Sequence, residues 1–206
     1  MTAGVVGTSS QLITVFGGSG FIGRRVVRAL AQRGYRIRVA VRRPALAGFL
    51  QPLGRVGQIH AVQANLRYKQ SVQNAARGSD VVINLVGVLK EAGRQNFAAV
   101  HSFGARAVAE AAATAGARLI HVSALGADAQ SESLYARTKA AGEASAFSHV
   151  PTATIFRPSV VFGPEDGFFN RFAALGSRMP VVPITGGATR FQPVYVGDVA
   201  EAIARA

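Results

Sequence analysis

The sequence contains no cysteine. That excludes a disulfide scaffold, a thiolate metal site and a cysteine nucleophile, and it fits a reducing compartment. No apolar run approaches the ~20 residues needed to span a bilayer. Met1 to Gln11 carry no arginine or lysine, so they form neither a secretory signal nor an Arg-rich transit peptide. They are expected to be a flexible tail, and the chain is expected to be cytoplasmic. His60, His121 and His149 stand in no ligand-like pattern, and no metal site is expected.

Acidic residues are absent from residues 1–79, which hold twelve arginines and lysines, whereas residues 80–206 hold eleven basic and ten acidic residues. All but one unit of the net charge of +13 therefore resides in residues 1–79. Such a field attracts phosphates, anionic lipid or an acidic partner. Arg-biased codon usage would explain arginine over lysine, but not the missing acids. There is no nucleic-acid motif, and few aromatics are interleaved with the basic residues, so no nucleic-acid partner is expected.

The 206 residues suffice for one α/β domain with a sizeable core. Short apolar runs alternate with helical patterns, which predicts βαβ units and a parallel sheet. Strands are expected at residues 12–16, 36–41, 59–63, 81–85, 119–123 and 152–156. Helices are expected at residues 21–33, with Ile22, Val26 and Leu30 on one face, at 96–115 and at 134–147. Beyond Pro158 the pattern loosens into a helix from Gly167 to Ser177, a Pro- and Gly-rich stretch, Pro193 to Val196, and a helix from Asp198. The spacing of Phe168, Phe169 and Phe172 suits either a docking face or, more simply, core. The last helix meets no stop signal before Ala206, which reads as a truncated domain.

The first strand runs into Gly17, Gly18, Ser19, Gly20, Phe21, Ile22 and Gly23, then a helix. Glycines let a pyrophosphate approach the backbone closely, and the helix start offers unpaired N–H groups and partial positive charge. In this context the run predicts a Rossmann-type dinucleotide site; the alternative is an ordinary Gly-rich turn. An NAD site usually has an acidic residue about 20 positions after the glycines. Here Arg42 and Arg43 close the second strand instead. A guanidinium suits a 2′-phosphate, so NADP(H) is preferred and NAD(H) remains open. The competing reading is a pair of solvated charges.

Ser123 ends a strand, and Tyr135 and Lys139 share one helix face at i,i+4. An ammonium beside a phenol lowers its pKa from ~10, so that the phenol can exchange a proton with an alcohol or carbonyl oxygen. Ser123 would hydrogen-bond the same oxygen.

Together these residues resemble the catalytic triad of the short-chain dehydrogenase/reductase superfamily, and the Gly17, Gly20, Gly23 spacing resembles its extended and atypical forms. Asn84, Leu85, Val86 and Gly87 resemble the strand-four motif that supports the nucleotide core. Arg157 to Pro164, including Pro158 and Val161, resembles the extended-family loop beside the nicotinamide. Pro193 to Asp198 resembles a later segment near the substrate. The resemblance implies a Rossmann-type doubly wound sheet over residues 12–160 and a small, partial C-terminal substrate lobe over 161–206. One departure is His101, where active extended enzymes often carry an asparagine that organises a proton-relay water. Helix-surface histidines are usually bland, so turnover is expected to be slow. The whole set is most similar to an atypical branch, the bacterial relatives of the nucleotide-binding accessory subunit of respiratory complex I. That similarity implies a cofactor-binding assembly module with little turnover, near complex I or an anionic inner-membrane surface, with Tyr135 and Lys139 as cofactor contacts. The alternative is an NAD(P)-dependent oxidoreductase, or an epimerase/dehydratase, acting on a carbonyl or alcohol through Ser123, Tyr135 and Lys139.

Overall fold

A computed structural model describes residues 10–93, 95–178, 181 and 188–206. Most of the expected tail and of the Pro- and Gly-rich stretch lie outside the described residues. Six parallel strands form one sheet: β1 (Leu12–Phe16), β2 (Arg36–Val41), β3 (Ile59–Gln63), β4 (Val81–Asn84), β5 (Arg118–Val122) and β6 (Thr154–Phe156). Their order, β3-β2-β1-β4-β5-β6, is that of a Rossmann fold. Registers pair Val15 with Val39 and Ile83, and Ile83 with Ile120.

Side chains alternate across the sheet, and each face builds its own core. Ile13, Val15, Val39, Ile83 and Ile120 face helices α1 (Phe21–Gln32) and α6 (Val196–Arg205). Phe16, Ala40, Val82 and Leu119 face α2 (Lys69–Ala76), α3 (Ala105–Thr114) and α4 (Leu134–His149). Val26 and Leu30 of α1 are buried as the periodicity requires, and Ile22 packs at the edge. Arg33 ion-pairs with Glu201, tying α1 to α6.

The sequence reading assigned no helix to α2. Only Val72, Ala75 and Ala76 of its eight residues are buried, too few to announce an amphipathic face. It forms by packing on the alanine-rich α3. The expected helix over 96–115 begins instead with a π-helical segment at Ala98–Gly104, which places His101.

A two-stranded parallel pair, β7 (Val161–Phe162) with β8 (Val194–Tyr195), and α5 (Phe169–Gly176) follow the main sheet. The reading of Phe168, Phe169 and Phe172 as core is corrected. Phe169 and Phe172 are exposed, and no residue of α5 is buried. Their rings meet one another and Phe162, with Phe168 and Phe172 centroids 5.3 Å apart, rather than an interior.

The glycine turn fixes where α1 begins. Gly17 has φ +80°, and a Cβ on Gly23 would lie 2.2 Å from the Gly17 carbonyl oxygen and 2.7 Å from the Gly18 backbone. No rotamer relieves a backbone clash. Gly23→Ala is expected to cost about 1–3 kcal/mol, the range for overpacking. Urea denaturation measures this, and an unchanged midpoint would show that the turn relaxes freely.

Candidate functional site

A cleft of about 560 Å³ opens at the C-terminal ends of the strands. It lies at the switch between β1 and β4, where doubly wound sheets bind ligands. Gly17, Gly20, Phe21, Ile22 and Gly23 form one side. Ser123, Tyr135 and Lys139 stand across it, and Gly87, Pro158 and Val161 complete it. Three tight sequence-local motifs are thus brought to one place by the parallel sheet.

Other expected contacts fall elsewhere. Gly18 is buried against Val39, and Ser19 is half-buried in the turn. Val86 packs toward the second core, and its N–H donates to Asn84 Oδ1 at 3.1 Å. Arg42 and Arg43 lie exposed just past the end of β2, outside the cleft lining. Arg42 has one neighbour of note: with the Gln95 amide oxygen turned toward it, Nη1 donates at 2.6 Å.

The residues present fit a dinucleotide. The first turn of α1 contains no acid, its start is open toward the cleft, and the positions nearest the chain carry no Cβ. A Cβ on Gly87 would stand 3.6 Å from Lys139 Nζ. Gly87 thus lies beside both Lys139 and His101, on the wall of the cleft.

Lys139 is buried, and its Nζ donates to the Val122 carbonyl at 3.0 Å. Burial pulls its pKa down to about 8, partly opposed by Glu143. The neighbouring Glu143 carboxylate is buried and takes a fork from Arg157, Nε to Oε1 at 2.9 Å and Nη2 to Oε2 at 2.5 Å. Burial pushes that carboxyl up, but the bonds and charge of Arg157 outweigh it and keep it ionised. Ser123 is buried and its hydroxyl makes no well-formed hydrogen bond within the chain, although it lies near enough to Glu143 to favour the carboxylate.

Tyr135 departs from expectation. Its pKa is raised by burial, with no lowering from Lys139. The Lys139 ammonium is directed at the Val122 carbonyl.

His101 is the second correction. It is 2% exposed and belongs to the site, not to a helix surface. Its Nε2 accepts from Val88 N–H at 3.0 Å, and Nδ1 lies 3.3 Å from Thr138 Oγ1, which donates to the Tyr135 carbonyl at 3.0 Å. The ring stacks on Phe97 (5.4 Å) and meets Tyr135 edge-on (5.3 Å). His101 thus clamps the β4 loop to the first turn of α4. The sequence signal was present, since a residue at that position lies one helix away from Tyr135, but helical periodicity alone did not say which way it faced. π-Helical turns recur at functional sites for this reason: they re-aim one side chain.

Burial, reinforced by the Lys139 charge, pushes His101 down to about 4. His121, whose Nδ1 lies 3.1 Å from Asn84 Nδ2, is held near 4 by the same causes.

The chain belongs to the NAD dependent epimerase/dehydratase family, whose profile matches residues 13–206. It is similar to "Ceramide reductase" of Caulobacter vibrioides, with 38% identity over 92% of this chain and 58% of that protein. It is also similar to "NADH dehydrogenase [ubiquinone] 1 alpha subcomplex subunit 9, mitochondrial" of Mus musculus, with 40% identity over 96% of this chain and 53% of that one. The chain therefore spans about half the length of these curated relatives. Among solved structures, "Pen" from Bacillus thuringiensis shares the fold, at TM-score 0.76 and 17% identity over 96% of this chain and 64% of that one. Among the described residues, no helix is long and apolar enough to cross a membrane.

Two buried neutral histidines make stability depend on acid. Each takes a proton in the unfolded chain near pH 6.5 but in the folded chain only near 4. Their contribution is complete above pH 6.5 and is lost as pH falls toward 4, at up to about 1.4 kcal/mol per pH unit each. Urea unfolding at pH 7, 6 and 5 is expected to follow this. His101→Gln should remove one histidine's share of the slope; an unaltered slope would mean that His101 is not buried in neutral form.

Proposed function

We propose that this chain binds NADP(H) and reduces a carbonyl compound, with Tyr135 as the proton donor. The observation that carries this reading is a half-buried phenol facing the same cleft as the glycine turn, with Lys139 one helical turn away. When bound, the nicotinamide supplies a hydride. The chain's own residues do the rest. The glycine turn and the start of α1 hold the pyrophosphate. Arg42, assisted by Arg43, takes the 2′-phosphate, and the Gln95 amide beside Arg42 orients its fork. Lys139 and Tyr135 reach the nicotinamide ribose, and loops 86–88 and 158–161 close the walls. Tyr135 delivers its proton to the oxygen that gains charge, with Ser123 as a second donor.

The expectation of little turnover rested on His101 in place of asparagine, on the resemblance to the complex I accessory subunit and on an incomplete C-terminal lobe; a buried histidine that packs on Tyr135 bears on the first of these alone. The name of the Caulobacter relative points toward turnover.

A second reading keeps the cofactor and gives up the turnover. It is favoured by 40% identity to a protein named as a subunit of NADH dehydrogenase. In that case the cofactor stabilises an assembly module, placed on the cytoplasmic side at complex I or at an anionic membrane surface. The acid-free first half is then the contact.

Nucleotide titrations test the cofactor. Wild type should bind NADPH more tightly than NADH, and Arg42→Asp should weaken NADPH by about 1.5–3 kcal/mol, the value of a charge-assisted bond, while sparing NADH. Equal affinities in the wild type would refute the preference. Tyr135→Phe should abolish NADPH oxidation with carbonyl compounds but leave NADPH binding within a few-fold. A wild type that binds NADPH and turns over no carbonyl compound would favour the assembly module instead.

A further inference from the structure

Resting on the NADP(H) reading, we propose that the substrate is a carbonyl compound carrying a long apolar chain, not a phosphorylated or nucleotide-linked one. Beyond the glycine turn and the triad, the cleft is lined by Val88 and Leu89 after β4, Leu125 after β5, and Val160 and Phe168 on the opposite side. Leu89 and Leu125 are 81% and 66% exposed. A single exposed leucine is ordinary. Two that line the same cleft as a phenol form an apolar patch that awaits cover.

The charge inventory agrees. Among the described lining residues Lys139 is the single charged one, and its ammonium is buried against the Val122 carbonyl. A diphosphate or carboxylate brought to the Tyr135 side would find no cation of its own there, and unpaired burial of an anion is prohibitively costly. Arg24 and Arg25 share the single carboxylate of Glu165, at 3.1 and 3.6 Å, and neither lines the cleft. The polar side chains that remain for a substrate are the uncharged hydroxyls of Tyr135, Ser123 and Ser159.

The apolar wall is also tied to the cofactor helix. Asp166 Oδ1 accepts from the Phe168 and Phe169 N–H groups at 2.9 and 2.6 Å, and the adjacent Glu165 pairs with Arg24 and Arg25 in the first turns of α1. The turn that carries Phe168 is therefore set by the same helix that meets the pyrophosphate.

In the reaction the carbonyl carbon gains the hydride and its oxygen gains the Tyr135 proton. The ketone becomes a secondary alcohol, NADPH becomes NADP⁺, and solvent returns a proton to the phenolate.

The test uses dead-end complexes, so that it does not depend on turnover. Calorimetry first measures NADP⁺ binding to the whole chain. 2-Hexanone, 2-octanone and 2-decanone are then titrated into the NADP⁺-loaded protein, with UDP-N-acetylglucosamine as the polar probe. Each added methylene should lower Kd about fourfold, the ratio that corresponds to ~0.8 kcal/mol per buried CH₂. UDP-N-acetylglucosamine should not bind the loaded protein, and Leu125→Asp should raise the 2-decanone Kd at least tenfold. NADP⁺ binding with a Kd independent of ketone length, or with tight binding of the nucleotide sugar, overturns the apolar substrate and leaves the cofactor reading standing. Failure to bind NADP⁺ overturns both.

Discussion

The close approach of α1 to the end of β1 is the constraint on which the rest depends. Gly23 sits where a single methyl would strike the Gly17 carbonyl, and Gly17 itself turns at positive φ against the β4–loop backbone. Because that contact admits no side chain, the N-terminus of α1 is held over the switch point of the sheet. The helix then carries three further connections. Its apolar face packs on the sheet, Arg33 reaches Glu201 on α6, and Arg24 and Arg25 reach Glu165 beside the cleft wall. One steric fact at the backbone therefore positions the start of α1 at the cleft, the far helix and the rim.

Facing it is a polar layer at the ends of β4, β5 and α4. Asn84, His121, His101, Lys139 and Glu143 are all buried, at exposures of 5% or less. Burial of this many titratable groups is tolerated because most are bonded: Lys139 to a carbonyl, Glu143 to a guanidinium fork, His101 to a backbone N–H. The same burial sets their protonation. It keeps both histidines neutral, lowers Lys139 and raises Tyr135.

Much of this was written locally in the chain. The six strands, the glycine turn, and the i,i+4 pairing of Tyr135 with Lys139 follow from period-2 and period-3.6 patterns and from residues that only a close-approach turn requires. Those patterns are sequence-local, so they sufficed for a Rossmann-type sheet and for the elements that bring Ser123, Tyr135 and Lys139 to one cleft. Helix α2 was not legible, because its buried face is three small residues that mean something only against the alanines of α3. The exposure of Phe169 and Phe172 was not legible either, since the helical spacing of aromatics is the same whether or not something packs on them. His101 and the protonation of Tyr135 belong wholly to tertiary structure. The direction of a side chain in a π-helical turn, and the bond from Lys139 to the Val122 carbonyl, depend on groups 13 to 37 residues apart in the chain. Sequence thus determined which chemical groups exist and which helix or strand carries them. Only the folded molecule decided their solvation and their partners, and those fix where the protons reside.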